Sequence, residues 1–429
     1  MKKVNVISLG CSKNLVDSEM LLKQLAHAGY ATEADVENSD ADVVIVNTCG
    51  FIGDAKEESV NTILEQVERK KEGYIRQLYV IGCLSQRYGA ELKAEIPEVD
   101  AFFGKFDWKG VLEKMGEYFD RSIRNQRLLT TPAHYAYLKI SEGCNRTCSY
   151  CAIPIMTGKH QSRDFEELLD ECRELVKNGV REILVVAQDL TYYGTDLYGR
   201  NRLAELIGRI SEIDGVEWIK LHYAYPAGFP EDLLQVMSER PNVCKYLDIA
   251  LQHCSDPMLK KMRRGITKQQ TVELIRKIRR EVPGIFIRTT LMTGHPGETQ
   301  EDFEELCAFV REMKFERLGV FPYSHEEDTY CDKHYVDDVP EEVKKERAER
   351  IMEIQSEISR SVNASLVGKR VKVLIDRREE AYYVGRTEHD SPDVDPEVLI
   401  SSDKPLKIGT FYEVEMVDSD DYDLYARVE

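Results

Sequence analysis

The run Tyr137-Leu138-Lys139-Ile140 passes directly into Ser141-Glu142-Gly143-Cys144-Asn145-Arg146-Thr147-Cys148-Ser149-Tyr150-Cys151. Its first four residues have the length and apolar content of a short buried strand, so the cysteines fall in the loop at its carboxyl end. Three thiolates spaced Cx3Cx2C in one loop can hold three irons of a 4Fe-4S cube and leave the fourth iron without a protein ligand. An open iron is a site for chemistry. Bacterial ferredoxins use a different spacing with a fourth cysteine, and structural zinc also takes four ligands; the loop supplies neither locally. Three unrelated loop thiols are the alternative, and they leave the spacing without a cause.

Outward from this loop the strand pattern repeats. Strand-like runs follow at 183–186, 218–222, 246–251, 286–292 and 318–321, with helical periodicity among them at 165–177, 203–213, 271–280 and 303–313. Six β/α units predict an incomplete β/α barrel over residues 133–362, with its working residues at the carboxyl ends of the strands. A charged helix at 341–362 closes that unit, and a polar connector at 121–132 precedes it. In residues 1–125, short β-branched runs at 4–9, 43–46 and 78–81 alternate with helical patterns at 18–28 and 59–67, which predicts a small doubly wound parallel sheet. Residues 365–429 change to short strands such as 371–375 and 411–417 between turn residues, as in a small all-β barrel.

Cys11, Cys49 and Cys83 each follow one of the three amino-terminal strands. The carboxyl ends of a parallel sheet share one edge, where open α/β sheets bind ligands, so these thiols can converge as a second three-thiolate cluster site. Any one of them alone could equally be a buried small hydrophobe. Cys172 and Cys307 lie on apolar helix faces and read as core, whereas Cys244, Cys254 and Cys331 have no ligand-like spacing. Eleven cysteines in 429 residues predict reduced thiols in a cytoplasm rather than a disulfide framework. No apolar run approaches the roughly 18 residues needed to span a bilayer. The stretch from Lys2 to Cys11, broken by Asn5 and Ser8, is too short for a secretory leader, so no membrane attachment is expected. With 77 acidic against 58 basic residues the net charge is −19, which excludes a surface built to coat nucleic acid.

The Cys144, Cys148 and Cys151 triad at the mouth of a partial barrel resembles that of the radical S-adenosylmethionine enzymes. The resemblance implies that S-adenosylmethionine chelates the open iron and is split, after one electron from the cluster, into methionine and a 5′-deoxyadenosyl radical. It further implies an aromatic at Tyr150 near the adenine. Gly294 and Gly297, in the segment from Thr293 to Thr299, would let backbone approach the cofactor, and Gln188 and His253 would end the second and fourth strands beside cofactor or substrate. A loop tyrosine, a simple βα turn with Glu298 near the helix start and a structural histidine are the alternatives for these positions.

The three-unit order resembles the methylthiotransferases over essentially the whole chain, with a carboxyl-terminal TRAM domain. Leu9-Gly10-Cys11-Ser12-Lys13-Asn14, Val16-Asp17-Ser18-Glu19, Ala187-Gln188-Asp189 and Leu251-Gln252-His253 resemble the branch that acts on a ribosomal protein more than the branch that acts on transfer RNA. Thr157 departs from it, since relatives often have arginine there. The resemblance implies two 4Fe-4S clusters, two molecules of S-adenosylmethionine, an electron donor, and methylthiolation of the β-carbon of an aspartate on small-subunit ribosomal protein twelve, free or in the small ribosomal subunit. A transfer-RNA adenosine methylthiotransferase is the nearest rival, and a non-catalytic iron-sulfur carrier the rival of another class. From Ser365 to Glu429 there are 16 acidic and 9 basic residues. Such a barrel repels phosphate and attracts a basic protein, so direct RNA binding is not expected, with Asp418, Asp420, Asp421 and Asp423 as the expected centre of the surface. A merely solvated face is the alternative.

Overall fold

A computed structural model describes residues 2–428. The amino-terminal unit runs β1 (Lys3–Ser8), α1 (Ser12–His27), β2 (Ala31–Ala34), β3 (Val43–Thr48), α2 (Gly53–Lys71), β4 (Gln77–Gly82), α3 (Cys83–Glu95), β5 (Ala101–Phe102) and α4 (Trp108–Met115). Its five strands are parallel in the order β2-β1-β3-β4-β5. Helices cover both faces, as expected of a doubly wound sheet. Leu21, Leu22 and Leu25 of α1 and Val111 and Leu112 of α4 pack on Val4, Val6 and Ile45, while Ile63 and Val67 of α2 pack on Val44, Val46 and Val80 from the other side. Each fully buried aliphatic side chain contributes about 2 kcal/mol of transfer free energy. In this strand order the direction of winding reverses between β1 and β3, and the crevice at their carboxyl ends is where such sheets bind ligands.

The central unit begins with β6 (Tyr135–Lys139), followed by the short antiparallel pair β7 (Ser141–Glu142) and β8 (Gln161–Ser162), with α5 (Ile153–Thr157) in the loop between them. It continues α6 (Phe165–Lys177), β9 (Glu182–Val186), α7 (Leu203–Ile210), β10 (Trp218–Ala224), α8 (Asp232–Glu239), β11 (Val243–Ile249), α9 (Asp256–Lys261), α10 (Lys268–Glu281), β12 (Phe286–Thr293), α11 (Gln300–Met313), β13 (Arg317–Pro322), α12 (Tyr330–His334) and α13 (Glu341–Ala364). Six parallel strands pair in chain order from β6 through β9 to β13, an open partial barrel. Residue alternation along β12 buries Ile287, Thr289, Leu291 and Thr293. Helix α6 starts where the Asp164 carboxylate accepts from the amides of Glu166 and Glu167, and buries Phe165, Leu168, Leu169 and Cys172. Cys172 and Cys307 are core residues, as their helical phase predicts.

The last unit is a closed barrel of β14 (Arg370–Arg378), β15 (Tyr383–Thr387), β16 (Val398–Ser401), β17 (Phe411–Ser419) and β18 (Leu424–Arg427) around Val373, Ile375, Val398, Val414 and Met416. It plugs the amino end of the partial barrel. Buried Arg386 meets Glu182 at 2.7 Å and Asp376 at 2.6 Å, Lys220 meets Glu182 at 2.8 Å, and Arg317 meets Asp390 at 2.7 Å. The loop after β15 enters the lumen, where Asp395 accepts from Tyr246 at 2.6 Å and Ser391 lies 3.3 Å from His222.

The polar connector is pinned: Arg127 is buried against Glu19 at 3.1 Å and Glu171 at 3.0 Å, and the Thr130 amide donates to Glu19. The acidic run in the β17–β18 turn keeps Asp418 and Asp420 exposed but also makes local contacts. Asp420 accepts from the amides of Tyr422 and Asp423, Asp423 accepts from the Glu397 amide, and Asp421 holds Arg360 of α13 at 2.6 Å. Exposed acids without a partner among the described residues lie elsewhere on this barrel, at Glu380, Asp403 and Glu413.

Candidate active site

The loop of residues 143–160 is closed at its base by the β7–β8 pair and by the Cys144 amide, which donates to Gly158 at 3.1 Å. Gly143 has φ +76°, and a Cβ there would stand 2.2 Å from the Lys159 carbonyl, so only glycine lets the two ends meet. The loop is then stitched to the barrel: the Ser149 amide donates to Met262, and the Cys331 amide to Ser149. Cys144, Cys148 and Cys151 are all free and partly buried. Burial pushes the Cys144 thiol up to about 11, with neighbouring Cys148 adding to the rise. Burial and then Cys148 likewise raise Cys151. Against this, Arg264 donates to Cys148 Sγ at 3.2 Å, and Arg146, fixed by Asp189 at 2.7 Å, lies beside the loop. Both guanidiniums stack on Tyr225, at 4.0 and 4.1 Å from its ring centre.

The amino-terminal thiols share one edge of the sheet. Cys11 precedes α1, Cys49 follows β3 and Cys83 opens α3, so all three stand at the carboxyl edge, two of them at the β1/β3 crevice. Three glycines allow the approach. A Cβ on Gly10 would meet Cys49 Sγ at 2.7 Å, one on Gly50 the Leu84 amide at 2.8 Å, and one on Gly82 the Thr48 carbonyl at 2.4 Å. Asn14 ties the strand ends by donating to the carbonyls of Leu9 and Thr48, at 3.2 and 3.0 Å, and its Oδ1 lies 3.7 Å from Cys83 Sγ. Burial pushes Cys83 up to about 12, opposed by Lys105 and reinforced by Cys11 and Cys49. Among the described residues no three His, Cys, Asp or Glu side chains form a site for one metal ion. Cube ligands bind one iron each and need not converge on a point. Soft sulfur donors in threes, with no disulfide between them and a glycine-lined approach, fit such a cluster at either triad.

The two triads are linked by one packing contact. Cys83 packs with Ala152 and Met156, which continue directly from Cys151. Beside this contact, Lys105 meets Glu142 at 3.1 Å, Lys139 meets Glu142 at 2.8 Å and also pairs with Asp17, and Lys13 lies over the Tyr223 ring. The outer edge is latched by Arg87, buried against Glu326 at 2.6 Å.

Among the other sequence-selected positions, Tyr150 lies 3.4 Å from Arg264 and edge-on to His295. Gln188 donates to Glu142, while its Oε1 is buried without a partner. His253 is fully buried with both ring nitrogens engaged, to Glu298 at 3.1 Å and to the Ser255 amide at 3.0 Å. Gly294 and Gly297 take φ values of +71° and +78°, and the space a Cβ would need beside them is filled by Lys344 and Lys261. Thr157 is satisfied within α5 by the Ile153 carbonyl. Sequence spacing missed Arg264, Tyr225 and Lys105, which belong to no periodic or ligand-spaced motif, and gave no role to Arg146 and Lys13, which lie inside quoted motifs. Arg263-Arg264-Gly265 after a buried helix was the available signal.

Residues 138–310 match the radical SAM superfamily, 3–104 the uncharacterized protein family UPF0004, and 367–428 the TRAM domain. The chain is 63% identical over 428 residues to the ribosomal protein uS12 methylthiotransferase RimO of Porphyromonas gingivalis, covering 99% of each. It is 60% identical to the protein of that name in Bacteroides thetaiotaomicron, covering 100% of this chain and 98% of the other. The identity to that of Cytophaga hutchinsonii is 50%, covering 99% and 98%. Among solved structures, the radical S-adenosylmethionine methyltransferase TsrM of Kitasatospora setae superposes with a TM-score of 0.55 at 14% identity over 77% of each chain. The cobalamin-dependent radical enzyme OxsB gives 0.52 at 14% identity, covering 82% of this chain and 56% of the other. These two likenesses show the fold. Whole-length identity shows more: the chain belongs to the ribosomal protein uS12 methylthiotransferases, radical S-adenosylmethionine enzymes that contain a 4Fe-4S cluster.

Proposed function

We propose that this enzyme methylthiolates the β-carbon of an aspartate in ribosomal protein uS12, with Cys144, Cys148 and Cys151 holding one 4Fe-4S cluster and Cys11, Cys49 and Cys83 a second. The supporting observation is the packing of Cys83 on Ala152 and Met156, next in the chain to the loop that carries the other three thiols. When bound, S-adenosylmethionine at the first cluster supplies the radical that takes hydrogen from the substrate carbon, and the second cluster supplies the methylated sulfur. The chain's own residues do the positioning. Arg264 holds Cys148 in place by donating to its Sγ at 3.2 Å. Gln188 offers a buried, unpartnered acceptor at the end of β9, and Tyr150 an apolar face beside the triad, so both are assigned to the cofactor. Gly294 joins them through its turn, where its amide donates to Glu298 at 2.8 Å. His253 fixes the other Glu298 oxygen and acts by holding that turn.

The working units are residues 1–125, 133–362 and 365–429. The exposed acids of the last support a basic protein partner, uS12 alone or in the small ribosomal subunit, over RNA. An electron donor must reach the first triad. No helix among the described residues is long and apolar enough to cross a membrane, and the substrate assigns the enzyme to the cytoplasm. Mass spectrometry of ribosomal proteins from cells with and without the gene tests the reading. We expect one methylthio group on uS12 only when the gene is present. An unchanged uS12 together with gene-dependent methylthiolated adenosine in transfer RNA would overturn it.

A further inference from the structure

Lys13 stands two residues after Cys11 in the first turn of α1. It is 8% exposed, yet among the described residues no carboxylate forms an ion pair with its ammonium. Nζ lies instead 3.4 Å from the centre of the Tyr223 ring, reaching from the amino-terminal sheet to the carboxyl end of β10. The neighbouring cations are all neutralised: Lys105 by Glu142, Lys139 by Glu142 and Asp17, Arg146 by Asp189, and Arg288 by Asp395 at 3.2 Å. Asp248, the carboxylate nearest in field to Lys13, is taken by Arg288 at 3.4 Å and by the Tyr223 amide at 3.3 Å. Tyr223 itself has φ +67°, a left-handed backbone that a non-glycine residue keeps only where its surroundings impose it, as at binding sites.

A buried cation with no anion is unfavourable until a counter-charge arrives. The aspartate of the proposed substrate brings one, because its carboxylate carbon is bonded directly to the β-carbon that reacts. We infer that Lys13, steadied by the Tyr223 ring, holds the side-chain carboxylate of the substrate aspartate and so fixes its β-carbon between the two thiol triads. This assignment rests on the substrate reading above and names its recognition element. The ring favours the ammonium through its negative face, and the carboxylate completes the pair only when the protein substrate is seated.

The test is a binding cycle under anaerobic conditions, with reconstituted holoenzyme and purified uS12 having either aspartate or asparagine at the modified position. Wild-type enzyme should bind the aspartate form roughly 30-fold more tightly, about 2 kcal/mol, in the range of close interfacial charge pairs. Lys13→Met, which retains the stem under Tyr223, should bind the two forms alike, and Lys13→Arg should recover part of the preference. A variant merely damaged in folding weakens both forms equally and keeps the preference, a result that would overturn the assignment alone. Loss of about half the iron in Lys13→Met would also overturn it, by making the ammonium the counter-charge of the Cys11 triad. Wild-type enzyme that binds neither form would overturn the substrate reading and the assignment together.

Discussion

Replacing Glu182 by leucine removes the one anion shared by Arg386 and Lys220 at the seat of the carboxyl-terminal barrel. All three side chains are almost wholly buried. Breaking a buried pair by deleting one partner typically costs 3–5 kcal/mol, because a charge is left uncompensated. Here the residual partners place the loss at the lower end. Arg386 keeps Asp376 at 2.6 Å, and Lys220 keeps the Thr387 carbonyl at 3.1 Å. About 3 kcal/mol should lower the thermal transition of the carboxyl-terminal barrel by roughly 12–24 °C, the range for a unit of about 60–100 residues. A three-unit chain is not two-state, so hydrogen exchange at residues 370–428 is the sharper assay, and it should accelerate there before it does in the partial barrel. A pH series adds a signed check. Burial opposes ionisation of Asp376, but the His134 hydrogen bond and the Arg386 guanidinium outweigh it and hold the carboxyl at about 2, below its ordinary 3.8. A carboxyl lowered by folding stabilises the fold above its unfolded value and loses that contribution as pH falls through the folded one. Docking should therefore weaken between about pH 4 and pH 2, by roughly 2 kcal/mol from this group. A Glu182→Leu protein whose transition moves by less than about 2 °C, with unchanged exchange in the barrel, would refute this account of how the units are joined.

Alanine at Cys144, Cys148 and Cys151 should remove about half the iron and abolish 5′-deoxyadenosine formation, whereas unchanged iron content would remove that loop as a cluster site. Alanine at Cys11, Cys49 and Cys83 should also halve the iron but stop sulfur transfer while cleavage of S-adenosylmethionine stays measurable; continued methylthiolation of uS12 would make those thiols structural. Reversing Glu380, Asp403 and Glu413 to lysine should slow association with uS12 and flatten its salt dependence, since exposed charges act through a screened field of roughly 8–10 Å. An association rate indifferent to both salt and reversal would leave the acidity as a solvated surface.

The strands of the central unit were legible because each is a short apolar run with turn residues on either side, and a parallel sheet buried by helices needs that pattern. The elements that escaped are those with little to bury. β2 is half-exposed along its whole length, β5 has two residues, and α2 extends from Gly53 to Lys71 although only Ser59, Ile63, Gln66 and Val67 of it are buried. Periodicity marks the packed middle of such a helix and is silent on its solvated ends. The local contacts of the acidic turn were not legible for a related reason. Composition counts charge, but whether an aspartate faces solvent, caps a turn or holds Arg360 depends on the register of β17 against β18, which no count contains.

The same distinction separates the two kinds of site residue. The two thiol triads could be picked out because spacing and place at strand ends both survive in one dimension. Arg264, Lys13 and the Glu142 cations were not, since their roles come from elements far apart in the chain. Arg264 reaches Cys148 across 116 positions, and Lys139 reaches Asp17 across 122. The second contact depends on seating the amino-terminal sheet on the barrel mouth. That seating is itself set by small details: glycine at 10, 50 and 82 lets three strand ends close together, and Asn14 bridges the carbonyls of Leu9 and Thr48. With those strand ends closed, Cys83 reaches the apolar face that continues from Cys151, and near that contact Lys13 is buried with no carboxylate partner among the described residues. The cysteines therefore specify which reactions are possible, and the charged residues between them specify which carbon is presented.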